Sequence, residues 1–269
     1  MKGKRVTEQM KKVKAKVISQ AELSDDIYDM WIESDLAATA KAGQFICVYP
    51  HNESILLPRP ISICEADREK NILRIVYRVV GKGTKELSYY RDGGDINILG
   101  NLGNGFPLEE VAGKHVVLMG GGIGIPPMLQ LAKDLKRAGE AEEITAIAGY
   151  RNDRLFLKED MQKYVSVHVA TEDGSVGTKG NVMDAMSALG IRADVIMACG
   201  PMPMLRAIKQ YAKKEGCKAY ISLEERMACG VGACLGCVCK TKEKDEHSHV
   251  NNARICTDGP VFNAQDVEI

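Results

Sequence analysis

No run in this 269-residue chain stays apolar for the width of a bilayer, so no membrane-spanning helix is expected. The basic N-terminal stretch MKGKRVTEQMKKVKAKV lacks an apolar centre and is not expected to act as a secretory signal. Charge of one sign is also missing. Thirty-six basic residues balance thirty-six acidic ones, which argues against a general nucleic-acid binder. There is no long internal repeat and no low-complexity tract. Nor is there a nucleophile triad, a metal-ligating histidine set or a paired-carboxylate motif, so the chain shows no dedicated acid–base machinery. His247 and His249, in KDEHSHVNN, read as part of a solvated charged loop. Nine cysteines are an odd number for a disulfide framework, and a chain this long needs none. A cytoplasmic redox protein is the expectation.

Four of those cysteines carry the strongest signal. Cys229, Cys234 and Cys237 lie in MACGVGACLGCVC, and Cys256 follows a charged insertion. Cys, four residues, Cys, two residues, Cys and a distant fourth Cys is the plant-type iron–sulfur spacing. Four thiolates must converge on two irons, so the backbone has to wrap closely, and Gly230, Gly232 and Gly236 permit that. Amides in such a loop can point at the sulfurs and stabilise their charge. A four-cysteine zinc site, or plain buried thiols, are the alternatives. Zinc sites favour paired spacings, whereas Cys256 stands alone and Cys239 lies two residues from Cys237.

Upstream, two rhythms divide the chain. Lys12–Ser19, Ile27–Glu33, Gln44–Pro50, Arg59–Cys64, Ile72–Val79 and Ile96–Leu99 read as short strands separated by Gly, Pro, Asn and Asp, as in a small antiparallel barrel. A short helix is expected from Thr84, and Gly100–Gly105 looks like the end of this domain. From Lys114 onward, apolar runs alternate with amphipathic helical patterns, the signature of a doubly wound α/β parallel sheet. Val116–Met119 and Val195–Ala198 are continuously apolar, as befits strands buried on both faces. The expected division is a barrel over 10–105, an α/β domain over 112–224 and a cluster module over 225–269.

Several turns are candidate ligand sites. Gly120, Gly121, Gly122, Ile123 and Gly124 join the first parallel strand to a helix, where backbone amides and a helix N-terminus favour a pyrophosphate. The run departs from the G-x-G-x-x-G fingerprint, because Ile125 replaces its third glycine. Cys199, Gly200 and Pro201 end another buried strand, and two such turns can flank one dinucleotide. In the barrel, Arg59, Pro60, Ile61 and Ser62 place a guanidinium fork and a hydroxyl on one strand. Gly83 and Thr84 are a second anion-binding candidate. Each also has a purely structural reading as a surface arginine, a tight turn or a core thiol.

The combination of RPIS, GKGT, GGGIG and CGP resembles the ferredoxin-reductase-like flavoproteins. With MACGVGACLGCVC and Cys256 added, the chain resembles, over nearly its whole length, the electron-transfer subunits of type B dihydroorotate dehydrogenase. That resemblance implies FAD in the barrel, held by Arg59, Ser62, Gly83 and Thr84 and lined by Val76, Tyr77 and Arg78. It implies NAD in the second domain with Cys199 near the nicotinamide, and a 2Fe–2S cluster on Cys229, Cys234, Cys237 and Cys256. The implied partner is an FMN-containing catalytic subunit, two copies of each, feeding electrons from dihydroorotate through cluster and FAD to NAD+ in pyrimidine (UMP) biosynthesis. Arg151 and Arg154 are the residues that would favour NADP instead. Two other functions compete: a reductase subunit of a hydrogenase or of an NAD(P)H–ferredoxin oxidoreductase, and a zinc-stabilised nucleotide-binding interaction protein.

Overall fold

A computed structural model of the chain describes residues 12–244 and 249–269; His247 and the basic run as far as Lys11 lie outside them. The N-terminal elements are β1 (Lys12–Ser24), β2 (Ile27–Glu33), β3 (Phe45–Tyr49), β4 (Arg59–Asp67), β5 (Ile72–Arg78), a short helix α1 (Lys82–Leu87) and β6 (Asp95–Leu102). They close an antiparallel barrel in the order β1-β2-β5-β4-β3-β6. β1 runs five residues beyond its expected end, because residues 20–24 stay paired with β2 down to Ser24 opposite Ile27, although Ala21 and Leu23 there are exposed. Backbone pairing, not side-chain burial, sets that end. α1 starts before Thr84, whose hydroxyl accepts hydrogen bonds from the amides of Val80 and Gly81 and so closes the preceding turn.

Strand alternation decides what each barrel residue touches. Ile46 and Val48 of β3 point inward to join Ile32, Ile63, Ile75 and Ile98, whereas Phe45 and Cys47 point outward into a core shared with the rest of the chain.

The second domain contains β7 (His115–Gly121), α2 (Ile125–Ala138), β8 (Glu143–Tyr150), α3 (Lys158–Gln162), β9 (Ser166–Thr171), β10 (Thr178–Lys179), α4 (Val182–Ala188), β11 (Val195–Cys199), α5 (Met202–Glu215) and β12 (Lys218–Ser222). The C-terminal segment adds β13 (Val238–Thr241), β14 (Asn252–Arg254), β15 (Val261–Asn263) and β16 (Val267–Glu268). The large sheet runs β10-β9-β8-β7-β11-β12-β15, parallel except for β15 at its edge. Residues beyond the cysteines therefore also complete this sheet. α3 and β10, five and two residues long, are too short to leave a periodic signal in the sequence.

Val116 and Leu118 of β7 pack on the α2 side, and Val117 and Met119 pack on the α4–α5 side. Both faces are thus dry, which is why these strands read as unbroken apolar runs. Each such side chain contributes about 1.5–3 kcal/mol by leaving water. Barrel and sheet meet where α2 lies on β4. Gln130 accepts the Ala66 amide at 2.6 Å, Arg68 pairs with Asp134 at 3.0 and 3.1 Å, and Lys133 pairs with Glu65 at 2.7 Å. Among the described residues no helix is long and apolar enough to cross a membrane.

Candidate functional site

Residues 223–237 form neither helix nor strand, so the cysteine loop is shaped by its turns and by what it packs against. Gly230 has φ +70°, and a Cβ there would lie 2.8 Å from the Cys47 sulfur; only glycine meets both demands. The amides of Val231 and Cys234 each point at Cys229 Sγ at 3.4 Å, and the Gly236 amide points at Cys234 Sγ at 3.4 Å. Burial works against ionisation of Cys229, but the Val231 and Cys234 amides pull its thiol down to about 6. Such donors stabilise sulfur-borne negative charge.

The four thiols fall into two pairs. Cys229 interacts with Cys234, and Cys237 with Cys256, while burial and the neighbouring Cys237 push the Cys256 thiol up to about 12. Among the described residues no three His, Cys, Asp or Glu side chains converge on one point as ligands of a single ion. Two thiols for each of two metal atoms is what a binuclear cluster requires, and the donor set fits one. Cys237 and Cys256 are buried, whereas Cys234 is exposed beside Leu235, which is 63% exposed. One edge of the site therefore faces outward with an apolar rim.

The turn bearing Cys256 is held from two sides. Arg254 forms a two-pronged pair with Asp258 at 3.1 Å, and the Ile255 amide donates to the Cys237 carbonyl at 2.8 Å. Asn104, from the Gly/Asn-rich end of the barrel, donates through its side chain to the carbonyls of Thr257 at 3.1 Å and Asp258 at 3.0 Å. That stretch reads as a domain end in the sequence, yet it also docks the cysteine module. Cys239 pairs with Ala253 between β13 and β14.

On the barrel, Ile61 and Ile63 belong to the interior, so Pro60 and Ser62 face outward beside Arg59. Arg59 Nη2 donates to the Leu57 carbonyl at 2.9 Å, but its buried Nε has no partner. A Cβ on Gly83 would sit 2.8 Å from that Nε, so the glycine admits the guanidinium into the turn before α1. A buried donor lacking an acceptor, beside a helix start, fits the phosphate end of a flavin dinucleotide. Of the β5 candidates, Val76 and Arg78 face outward. The Tyr77 ring lies inside the barrel with its hydroxyl donating to Gln20 at 2.8 Å, which leaves only its backbone for a ligand. The Thr84 hydroxyl is used in its own turn.

The two glycine turns of the α/β domain meet at the switch in strand order between β7 and β11, where ligands of such sheets collect. Gly124 is so close that a Cβ would lie 2.3 Å from the Cys199 carbonyl, and Gly121 and Gly200 both pack under Met204. Pro126 and Pro127 occupy the first turn of α2 without loss of a hydrogen bond. Arg78 reaches across from the barrel to within 3.7 Å of where a Gly122 Cβ would be. Cys199 is fully buried, and its sulfur lies 3.9 Å from Glu224 Oε1. Glu224 is exposed as a residue, but its carboxyl turns in against that buried thiol, and the loss of solvent there raises it above the ordinary carboxylate range. Burial and then Glu224 push the Cys199 thiol well up. Glu224 carries no local sequence signal; only the return of the chain after β12 brings it to Cys199. Arg151 and Arg154 are exposed beyond β8, and the Asp173 amide donates to the Arg151 carbonyl, so acidic Glu172 and Asp173 share that edge.

Residues 224–268 match the family described as the iron–sulfur cluster binding domain of dihydroorotate dehydrogenase B, and residues 118–210 match the oxidoreductase NAD-binding domain. A dihydroorotate dehydrogenase B (NAD(+)) electron transfer subunit from Listeria monocytogenes serotype 4a (strain HCC23) is 40% identical over 262 residues, 97% of this chain and 100% of that one. The protein of the same description from Bacillus cereus (strain B4264) is 42% identical over 257 residues, 94% of this chain and 97% of its own. Among solved structures, an NADH-dependent reduced ferredoxin–NADP oxidoreductase described for flavin-based electron bifurcation superposes with TM-score 0.83 at 30% identity, covering 94% of this chain and 89% of that one. A ferredoxin NADP+ reductase from Neisseria gonorrhoeae, with bound FAD and NADP, shares the fold at TM-score 0.65 and 18% identity, covering 81% of this chain and 95% of that one.

Proposed function

The chain belongs to the electron-transfer subunits of type B dihydroorotate dehydrogenase, and on that premise we propose that it delivers electrons from an FMN-containing catalytic subunit to NAD+ in pyrimidine (UMP) biosynthesis. Its cofactors are FAD and a 2Fe–2S cluster, with NAD as acceptor. When bound, the flavin would exchange a two-electron hydride with NAD for single electrons with the cluster.

The residues divide that task. Cys229, Cys234, Cys237 and Cys256 hold the cluster, with the Val231, Cys234 and Gly236 amides stabilising sulfur charge. Arg59 and the turn at Gly83 would hold the flavin phosphates, with Pro60, Ser62, Val76 and Arg78 lining its ring and Ile61 and Tyr77, whose side chains lie inside the barrel, offering only backbone. The turns Gly120–Gly124 and Cys199–Pro201 hold the pyridine nucleotide, with Cys199 at the nicotinamide. Arg78, whose guanidinium reaches the Gly122 turn from the barrel, would lie between the two nucleotides. No proton need be moved by a side chain. These residues bind, orient and exclude water.

The observation that carries this reading is the seat of the cysteine loop. It packs on the outer face of β3, whose hydrogen-bonded neighbour β4 bears Arg59, Pro60, Ile61 and Ser62. The apolar rim at Val231 and Leu235 supports docking of a catalytic subunit over the exposed edge. Two copies of each subunit, a cytoplasmic location and no nucleic-acid or membrane partner complete the proposal. The divisions at 105/112 and 224/225 belong to it too.

Co-expression with a type B FMN subunit, followed by anaerobic titration with dihydroorotate, tests the assignment. The expected result is a tight complex that reduces NAD+, with flavin and cluster bleached in optical and spin-resonance spectra. No association and no NAD+ reduction would refute it. The likeness to the ferredoxin–NADP oxidoreductase favours one other reading, a ferredoxin-linked reductase subunit, which turnover with ferredoxin in the absence of the FMN subunit would reveal.

A further inference from the structure

Five cysteines, not four, gather at the cluster site. Cys47 comes from the middle of β3 and is fully buried. Its alternation partners Ile46 and Val48 fill the barrel, so its thiol is turned outward among Leu99, Leu102, Cys237, Ile255 and Cys256. It faces the ligand loop with no slack, for a Cβ on Gly230 would come within 2.8 Å of its sulfur and 3.3 Å of Leu102 Cδ1. In register, Cys47 pairs with Pro60 of β4 on one side and Leu99 of β6 on the other. One residue thus has the flavin strand as its lateral neighbour and the cysteine loop against its side chain.

We propose that Cys47 is a positioning residue: its side chain sets how closely and at what angle the cluster-bearing loop sits against the flavin strand. The inference rests on the electron-transfer reading above and adds to it the contact through which the two redox sites are placed. Cys47 is neither oxidised nor a ligand in this role. It is a small, polarizable side chain that fills the gap without a charge. Serine keeps that shape at a somewhat smaller size; leucine does not, and a methyl group at Gly230 would demand the same space from the other side.

The test uses the complex with the FMN subunit, purified with its cofactors. NADH is mixed in anaerobically, flavin and cluster reduction are followed by stopped flow, and the reduced cluster is examined by electron spin resonance. Cys47→Leu and Gly230→Ala are each expected to shift the g-values and to slow cluster reduction several-fold, since the rate of electron transfer falls steeply with the separation of the two sites. Cys47→Ser is expected to keep both. The double variant Cys47→Ala/Gly230→Ala should lie nearer to wild type than Gly230→Ala alone, because the smaller side chain yields the contested space.

Wild-type g-values and rates in Cys47→Leu would overturn the proposal, and so would a double variant no better than Gly230→Ala. Should Cys47→Leu fail to fold, the Gly230 pair decides alone. A wild-type complex lacking the cluster signal, or one whose cluster NADH does not reduce, would instead count against the electron-transfer reading itself.

Discussion

Arg74 Nη1 of β5 lies 2.8 Å from Asp160 Oδ2 of α3, a charged bond that joins the barrel to the α/β domain. The same guanidinium holds Asp29 through two bonds of 2.9 Å, approaches Glu65 at 3.5 Å and lies over the Trp31 ring at 4.8 Å. One nearly buried cation is shared by three carboxylates, and only one of them crosses the domain boundary.

That asymmetry separates two substitutions. Asp160→Ala leaves Arg74 paired with Asp29 and should lower stability by about 1–3 kcal/mol. Arg74→Ala takes the cation from buried Asp29, which keeps only the Trp31 indole at 3.3 Å while Lys133 and Lys163 still hold Glu65 and Asp160, and should cost about 3–5 kcal/mol. Chemical denaturation of the purified protein checks the order. Burial would raise Asp160, but hydrogen bonds from Lys163 and Arg74 hold it below its usual range. Its contribution is therefore present above the unfolded value of about 4 and fades as pH falls through the lower folded one. Asp160→Ala should lose this acid-side slope.

Asn104→Ala removes both side-chain bonds to the Cys256 turn, each worth about 1 kcal/mol. The cluster absorbance should decay several-fold faster under a chelator, with FAD content unchanged. Equal decay rates would show that Arg254 and Asp258 hold the turn unaided.

Arg59→Ala deletes the unpartnered donor at the turn before α1. A charge-assisted bond to phosphate is worth about 1.5–3 kcal/mol, so FAD affinity should fall by roughly ten- to a hundred-fold. Fluorescence of released flavin measures it, and Arg59→Lys should recover only part, lacking the fork.

Cys234→Ser replaces an exposed thiol that accepts the Gly236 amide. The visible bands of the cluster should be lost while bound FAD remains. Simultaneous loss of flavin would contradict two separate sites.

Glu224→Gln tests the carboxyl beside Cys199. Burial raises Glu224, so the folded chain binds its proton more tightly than the unfolded chain does. Stability contributed by the protonated form is then full below about 4.3 and lost as pH rises through the folded value. The glutamine variant should flatten that decline and alter the KM for NAD+, with the cluster spectrum untouched. An unaltered KM would place Glu224 outside the nucleotide site.

Much of this protein was legible in its residues one neighbourhood at a time. The Cys229–Cys237 spacing, the two-faced apolar runs at Val116 and Val195 and the glycine turns at Gly120 and Gly200 are local patterns, and locality is what a linear sequence displays. β1 beyond Ser19 and the short α3 escaped because pairing and packing, not periodicity, define them.

The order of residues fixes which chemistry is available: four thiols at cluster spacing, a guanidinium beside a strand hydroxyl, and two glycine turns at strand ends. Folding sets how these are placed relative to one another. Asn104 under the Cys256 turn, Cys47 against Gly230, Glu224 beside Cys199 and Arg74 on Asp160 are contacts between segments far apart in the chain. Such contacts form when the chain closes its loops to bury apolar surface, a global condition that leaves no trace in the spacing of neighbouring residues.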